Sequence, residues 1–571
     1  MRKLRLLVCG VVAAGLAACQ EPLVVDNQNQ ADKDRTLATA ADLETFIGST
    51  YAVAHQGTLG GNDGLQTQLM VMAFENVSAL ANFGMGPRGA IPRTPIDNTP
   101  NAAGDPGNLR DFNFEHRAAR MATLGLAKLK TVVIGNGPSD PRNARAAAFA
   151  HFTLGVALGN LSLAYDSGSI VTENDDFNAT IPLSGYKDVN KAALAHLDSA
   201  IAIVRRTSAF PNLPDIWVKG NALTSDQFIR LIRSYKARFR AGVARTPAER
   251  ADVGAGGIVD WNQVILDAAD SGLTSDLIIA MDPSAGWDMA WVAQHYATGS
   301  ANWHQMSQFI LGMADTSGGY DTWLSTTRFS RTPFLVVSPD RRLPQGATRA
   351  AQVGDTLRPG FRSFYVGTSA NPGRPFVRNR PAGLDQPGDP FGISMYDFYR
   401  SRSFFSAARI GLYPVMTAAE IRLLAAEGYL RLGNFAAVMQ RINLTRADSL
   451  RGNLPALAGL ADTLTAVPGG TACVPRVPDA AQNFRKSKCG NIWDALKWEY
   501  RIETMYTGYG MWYFAGRGWG DIPEGTAFNW PVPWQELFLR QEAIYGRGGL
   551  GQPGSAARGN YGLFDGGVYG W

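Results

Sequence analysis

Charged side chains are scarce in this chain. Asp, Glu, Lys and Arg together make up 18% of its 571 residues, and the formal net charge is only +5. Three basic residues, Arg2, Lys3 and Arg5, stand ahead of an apolar stretch from Leu6 to Ala18. Without these three the chain carries about +2, which is too little for a protein that binds nucleic acid through its charge. We therefore expect no nucleic-acid partner.

Cysteine is also rare, with four residues in the whole chain. Cys9 lies inside the apolar stretch, and the tetrapeptide Leu16-Ala17-Ala18-Cys19 ends it. A basic start, an apolar run and small residues before a cleavage point are typical of a secretory signal peptide. The tetrapeptide matches the signal of bacterial lipoproteins, so we predict a signal peptide over residues 1–18 and a diacylglycerol on the thiol of Cys19. The alternative is an ordinary signal peptide in which the cysteine is incidental.

The polar residues 19–38 predict a lipidated, flexible leash. The apolar run before them is too short to span a bilayer as a permanent helix, which needs roughly 20 apolar residues. Acyl chains on Cys19 are therefore the expected anchor. Gln20 stands where Asp would favour the inner membrane, so we expect an outer-membrane protein, lipid-anchored and exposed at the cell surface.

The other two cysteines, Cys473 and Cys489, lie close together near the end of the chain. In an oxidising compartment we predict a disulfide between them that closes a short loop. Half of a metal site is the alternative, but no histidine lies nearby in the sequence. We predict neither a metal site nor a cofactor.

Motifs of several enzyme classes are missing. The sequence has no His-Glu-x-x-His, no phosphate-binding Gly-Lys-Ser/Thr loop and no Gly-x-Ser-x-Gly. Glu420 and Glu427 resemble the paired carboxylates of a glycosidase, but they lie on one face of a strongly apolar helix. Glu173, Asp175 and Asp176 lack the spacing of a calcium loop and are typical of a solvated acidic turn. We therefore expect a protein that is not an enzyme.

Helical periodicity dominates two parts of the chain. It predicts helices over 112–133, 143–165, 186–204 and 491–507, and a helix that begins after a cap at Thr39. Thr224 to Gln227 and Thr417 to Glu420 have the spacing of capping boxes, in which two side chains satisfy free backbone amides. Residues 283–400 are instead rich in Trp, Tyr, Gly, Pro and Arg, which indicates irregular loops. A helical hairpin is predicted over 416–447, with its turn at Gly433 and Asn434.

Four stretches in order resemble the SusD/RagB family of outer-membrane nutrient-binding lipoproteins. The first is "LVVDNQNQ" with "TAADLETFIGSTYAV", and the second is "ARAAAFAHFTLGVALGNLSLAYD". The third and strongest is "PVMTAAEIRLLAAEGYLRLGNFAAVMQRINLTRADS". The fourth is "LKWEYRIETMYTGYGMWYFAGRG" with "EGTAFNWPVPWQEL". The resemblance covers nearly the whole chain after Cys19.

The resemblance implies a mainly α fold with minor β structure. Tetratricopeptide-like helical hairpins would carry an irregular, loop-rich part that presents the ligand. Residues 39–282 would form an N-terminal SusD-like helical region, and residues 283–571 a C-terminal RagB/SusD-like region. The partner implied is a SusC-like, TonB-dependent outer-membrane barrel, over which the lipoprotein sits as a lid.

Aromatic residues between 283 and 400 are candidates for ligand contacts, because flat rings pack against the C–H faces of sugars. The candidate ligand-binding residues are Trp287, Trp291, Tyr296, Trp303, His304, Tyr320 and Trp323. Trp287 and Trp291 are four residues apart, so the alternative is that they form one buried helical face.

From these observations we expect a lipoprotein that binds an oligosaccharide or polysaccharide and delivers it to the barrel. A first alternative is RagB-like capture of peptides with the same partner, since Arg328, Arg331, Arg341 and Arg342 suit anionic chains. A second, less favoured alternative is a surface polysaccharide hydrolase.

Overall fold

In a computed structural model of the chain, the described residues are 37, 39–78, 84–102, 107–176, 179–253, 256–292, 304–356, 376–379, 394–562 and 567–569. The predicted signal peptide over 1–18 lies outside them. So does the predicted leash over 19–38, Cys19 included, except for Leu37.

Helices make up most of the regular structure. In chain order the described residues form α1 Ala40–Thr58, α2 Leu65–Met72, α3 Met85–Gly89, α4 Gly107–Lys128, α5 Pro141–Ala164, α6 Tyr186–Arg206, α7 Ser225–Gly242, α8 Pro247–Ala251, α9 Trp261–Ala268, α10 Gln308–Leu311, α11 Gly319–Ser325, α12 Arg349–Thr356, α13 Arg402–Ser406, α14 Ala418–Arg431, α15 Phe435–Arg446, α16 Ile492–Thr504, α17 Met511–Trp519 and α18 Trp534–Leu539.

Strands are short and pair two by two. They are β1 Asn76–Ser78, β2 Ser167–Ser169, β3 Leu183–Gly185, β4 Leu277–Met281, β5 His304–Met306, β6 Val377–Asn379, β7 Tyr396–Phe398, β8 Gly411–Met416, β9 Arg476–Pro478 and β10 Ser487–Cys489. The antiparallel pairs are β1 with β5, β2 with β3, β4 with β8, β6 with β7 and β9 with β10. The predicted mainly α fold with minor β structure is confirmed.

Helix α5 lies at the centre of the N-terminal helices. It packs against α1, α4, α6 and α7, and its N-terminus is capped by Asp140, whose side chain accepts from the Arg142 amide. Gly159 lets α7 approach, because a Cβ there would lie 2.2 Å from the Phe239 ring. By length and composition α5 is apolar enough to cross a membrane, but 83% of that window is buried in the protein, as in the core helix of a globular fold.

The predicted helical hairpin over 416–447 is confirmed as α14 and α15. Gly433, at φ 76°, makes the turn, and the Asn434 side chain caps α15 by accepting from the Ala437 amide. A glycine suits this left-handed backbone, since it has no Cβ to clash with the carbonyl. One detail of the prediction is wrong: only half of the second capping box forms. Thr417 accepts from the Glu420 amide at 3.0 Å, but the Glu420 carboxylate binds Arg238 instead.

One cluster of buried apolar side chains runs from Leu43 to Tyr569 and includes residues of both predicted regions, 39–282 and 283–571. The two regions therefore share a core.

The capping box at Thr224 forms in full, unlike the one at Thr417. The Thr224 side chain accepts a hydrogen bond from the Gln227 amide, and the Gln227 side chain accepts one from the Thr224 amide.

Cys473 and Cys489 form the predicted disulfide, with their Cα atoms 5.8 Å apart. The bond closes the antiparallel hairpin of β9 and β10, which we call the disulfide hairpin (residues 473–489). Its base is tied to the body by Asp321, whose carboxylate accepts from the Ser487 amide and hydroxyl at 2.7 and 2.5 Å.

Replacing both cysteines by alanine is expected to lower the free energy of unfolding by about 3 kcal/mol, because the sixteen-residue separation leaves a loop that the bond constrains in the unfolded chain. Urea titration followed by circular dichroism measures the loss. Reducing the unaltered protein with dithiothreitol is the control and should give a similar loss. A double variant as stable as the parent would contradict the prediction.

Candidate functional site

A cleft of about 430 Å³ opens beside the disulfide hairpin. We call it the Trp493 cleft. Its lining comes from α8, the end of α14, the disulfide hairpin, the start of α16, the end of α17 and the 560 region, and consists of Pro247, Ala251, Arg431, Val477, Pro478, Ala480, Lys488, Trp493, Asp494, Lys497, Gly518, Trp519, Asn560 and Tyr561.

The first turn of α16 places an aromatic ring and charges on the cleft. Asn491 caps this helix by accepting from the amides of Trp493 and Asp494, at 2.9 and 3.2 Å. The Asp494 carboxylate accepts from the Asn491 amide in return, so the capping box is complete. Lys497 follows Trp493 by four residues and therefore shares its face of the helix. Trp493 is half-buried and keeps part of its ring accessible.

Arg431 closes one side of the cleft and is held rigidly. Its guanidinium lies 4.8 Å from the ring centroid of Trp493 and 5.0 Å from that of Trp261, a cation–π arrangement on two indoles. Its Nε and Nη2 donate to Oε1 of Glu427 at 3.0 and 2.8 Å. Glu427 also accepts two bonds from Arg250, at 2.7 and 2.6 Å.

The charge state of Glu427 follows from these contacts. Burial would raise the pKa of its carboxyl, but the charges of Arg250 and Arg431 outweigh burial and lower the pKa to about 2. Glu427 is therefore ionised at any physiological pH, and it cannot donate a proton.

A second shared carboxylate holds the opposite side. Asp521 accepts from the Lys497 ammonium at 2.9 Å and from Arg501 at 2.5 Å. Asn560 donates to the same carboxylate at 2.6 Å and to the carbonyl of Trp519 at 2.8 Å. Burial opposes ionisation of Asp521, but Lys497 and Arg501 prevail and lower its pKa.

Trp519 forms the floor of the cleft and is almost fully buried. The cations of Arg250, Lys497 and Arg501 lie 5.5 to 5.9 Å from its ring centroid. The neighbouring Gly518 is required by packing, because a Cβ there would lie 2.3 Å from Cδ of Arg250.

The Trp493 cleft can bind, but its residues do not form a two-carboxylate catalytic site. An accessible indole edge, two prolines and a valine offer apolar contact, while Asp494, Lys497, Lys488 and Asn560 offer hydrogen bonds. Among the described residues, Asp494 is the one acid that lines the cleft. No group of three or more His, Cys, Asp or Glu side chains suited to a metal ion occurs among the described residues.

The chain matches no protein-family model and no curated protein. Among solved structures, it is similar to a SusD superfamily protein from Bacteroides thetaiotaomicron, with a TM-score of 0.50 at 13% identity over 88% of this chain and 96% of that one. A SusD-like protein from Bacteroides fragilis gives a TM-score of 0.48 at 14% identity, over 86% and 88% of the two chains. A SusD superfamily protein from Bacteroides vulgatus gives 0.47 at 12% identity, over 85% and 88%.

This chain has the SusD-like fold. The match spans the helical N-terminal part and the C-terminal part together. The fold predicted from the four sequence stretches is thereby confirmed.

The SusD-like fold places four of the predicted ligand residues in its core. Trp287 and Trp291 are 4% and 0% exposed, and Tyr320 and Trp323 are 1% and 3% exposed. Trp287 packs on Tyr51 with ring centroids 5.9 Å apart, and Tyr320 stacks on Trp323 at 6.1 Å. These four rings present no free face to a ligand. The alternative is supported in that Trp287 and Trp291 are buried, but they do not form a helical face, because Trp287 lies in a β-bridge with Asp282 and Trp291 lies in a turn.

The described residues do not test the other three candidates as ligand contacts. Tyr296 and Trp303 lie outside the described residues. His304 begins β5, where its backbone is paired with Ser78.

The arginines expected to suit an anionic ligand are mostly core residues, which corrects that expectation. Arg342 is fully buried and binds Asp340, Glu499 and Glu503 at 2.7 to 2.9 Å. The side chains of Arg328 and Arg331 are also buried and donate to backbone carbonyls, including that of Ile91 at 2.6 Å from Arg328. Arg341 is half-buried.

Sequence reasoning missed Trp493. The available signal was the Asn491 cap, which places Trp493 and Lys497 on one helical face directly after the basic disulfide loop. Of the tryptophans after 490, those at 498, 512, 519 and 530 are core residues.

Glu427→Ala is expected to cost about 3–5 kcal/mol of unfolding free energy, because it leaves the buried guanidinium of Arg250, and that of Arg431, without an anion. Glu536→Ala is the matched control: Glu536 also pairs with an arginine four residues on, but its side chain is 26% exposed. The control should cost less than about 1 kcal/mol. Urea titration measures both, and equal small losses would contradict the prediction.

Proposed function

We propose that this SusD-like protein is an outer-membrane lipoprotein that binds an oligosaccharide or polysaccharide and delivers it to a SusC-like, TonB-dependent transporter. The observation that carries the proposal is the Trp493 cleft, in which an accessible indole stands among rigidly held polar groups. The SusD-like fold supports the same proposal, since this chain shares it with a SusD superfamily protein over 88% of its length.

The cleft has the two features that sugar binding needs. The accessible part of the Trp493 indole offers apolar surface for the C–H groups of a pyranose ring. Lys497, Asp494 and Asn560 offer donors and acceptors for hydroxyl groups. Lys497 and Asn560 are already bonded to Asp521, so they lose little conformational freedom when a ligand binds.

The same contacts argue for binding without bond cleavage. A glycosidase requires two carboxyl groups about 5–10 Å apart, one of which is protonated. Glu427 stays ionised with a pKa of about 2, and Glu420 is held by two bonds of 2.7 Å from Arg238. Of the acids that the structure describes, Asp494 alone remains on the cleft surface. We therefore propose that the protein captures its ligand and passes it on unchanged.

The proposed lipid anchor would place ligand capture at the cell surface. Lipid on Cys19 would hold the body at the outer membrane, and the leash behind it would let the body swing over the transporter. Peptide capture with the same transporter is the alternative outcome of the binding test, but the buried arginines of the loop-rich part no longer favour it.

Trp493→Ala is expected to weaken glycan binding about tenfold or more, through loss of the apolar surface that the indole adds to the cleft. Affinity gel electrophoresis against a panel of soluble polysaccharides measures retardation. Trp534→Ala, at another half-buried tryptophan outside the cleft, is the control and should bind like the parent. Undiminished retardation of Trp493→Ala would reject the site. Shortening of the polysaccharide would reject the binding-only function.

Cys19→Ser is expected to release the protein from the membrane, because the hydroxyl cannot take the thioether-linked diacylglycerol. Fractionation and intact-mass measurement of the unaltered chain and the variant check this.

After mild detergent extraction, the unaltered chain should co-purify with a large β-barrel. A lone monomer under those conditions would contradict the proposed partner.

A further inference from the structure

Positive charge is concentrated in the disulfide hairpin. Residues 473–489 contain four cations, Arg476, Arg485, Lys486 and Lys488, against the single acid Asp479. The hairpin thus carries a net charge of about +3 in a chain whose total is +5. Such a local excess is not expected from the composition of the chain.

The four cations differ in how firmly the hairpin holds them. Arg476 folds back onto Ser487, donating to its hydroxyl at 2.9 Å and its carbonyl at 3.2 Å. Arg485, Lys486 and Lys488 are exposed. Lys488 pairs with Asp479 at 3.0 Å, but its side chain is 59% exposed, so solvent screens the pair and either partner can turn to another charge.

The hairpin forms one wall of the Trp493 cleft. Val477, Pro478, Ala480 and Lys488 line it. The disulfide and the two bonds from Ser487 to Asp321 fix this wall in place. The backbone that carries the charge excess is therefore held beside the cleft, and Lys488 is the hairpin cation that lines it.

The other sides of the cleft add to the excess. Two buried carboxylates serve two cations each: Glu427 binds Arg250 and Arg431, and Asp521 binds Lys497 and Arg501. The two carboxylates thus neutralise only half of the positive charge of these four side chains. Asp494, the one acid among the described lining residues, offsets this only in part, and its burial raises its pKa.

We propose that the Trp493 cleft takes an anionic glycan, with carboxylate or sulfate groups beside the disulfide hairpin and a sugar ring on Trp493. This inference rests on the proposed function. Lys488 and Lys497 would contact the anionic groups, and attraction between the positive cleft and a polyanion would speed encounter as well as strengthen binding.

Matched pairs of polymers test the proposal. Dextran sulfate is compared with dextran, and polygalacturonate with its carboxyl-reduced form, so that one pair supplies sulfate and the other carboxylate. We expect the anionic member of at least one pair to bind about tenfold or more tightly than its neutral partner. The preference should shrink between about 0.05 M and about 0.5 M salt, because screening shortens the reach of charge.

Two variants separate recognition from adsorption of any polyanion. Lys488→Gln should lose most of the anionic preference, whereas Lys187→Gln should keep it. Lys187 is the matched control, since it also pairs with one acid and is 55% exposed, but it does not line the cleft. Trp493→Ala should weaken binding of the anionic polymer as well.

The outcomes are distinct. Equal binding of the neutral and anionic members would overturn the inference and leave the proposed function intact. Anionic binding that is unaffected by Trp493→Ala, or lost equally in both lysine variants, would be nonspecific adsorption and would also overturn it. Poly-glutamate, an anionic peptide chain, is measured in parallel with the four polysaccharides. If no polymer binds, or if only poly-glutamate does, both the inference and the proposed function fail.

Discussion

Buried pairs of arginine and carboxylate hold the two halves of this molecule together. Arg238 and Arg250, from the N-terminal helices, bind Glu420 and Glu427 of α14 through two bonds each. All four side chains are nearly or fully buried. An unpaired charge in such a place costs several kcal/mol, so the pairs form only when α14 lies in one register against α7 and α8. The geometry that they impose decides where α16 and the cleft stand.

A second buried network acts in the same way on α16. Arg342 binds Glu499 and Glu503 of that helix and Asp340 of its own loop, and Trp498 donates to Asp340 at 2.9 Å. This network fixes the rotation of α16, and with it the direction in which Trp493 and Lys497 face. The site is thus rigid because of contacts two turns away from it.

Other buried cations are stabilised by helix ends instead of acids. Arg245 and Arg517 donate to the carbonyls of Ser162 and Leu163, at the C-terminus of α5, with both bonds at 2.9 Å. The partial negative charge of a helix C-terminus favours cations there. Burial, together with the positive charge of Arg517, nevertheless lowers the pKa of Arg245 to about 9.

Local features of the chain were decided by the sequence itself. The helices around residues 143–165 and 186–204, the hairpin turn at Gly433 and the disulfide all follow from apolar spacing, caps and the small number of cysteines, which act over a few residues. Tertiary structure alone decided which polar groups meet. Periodicity marks a face as apolar but does not say whether protein or ligand covers it, so Trp287 and Trp291 could not be told from binding residues. Glu420 could satisfy its own helix cap or an arginine 182 residues earlier, and the stronger, buried charge pair prevails.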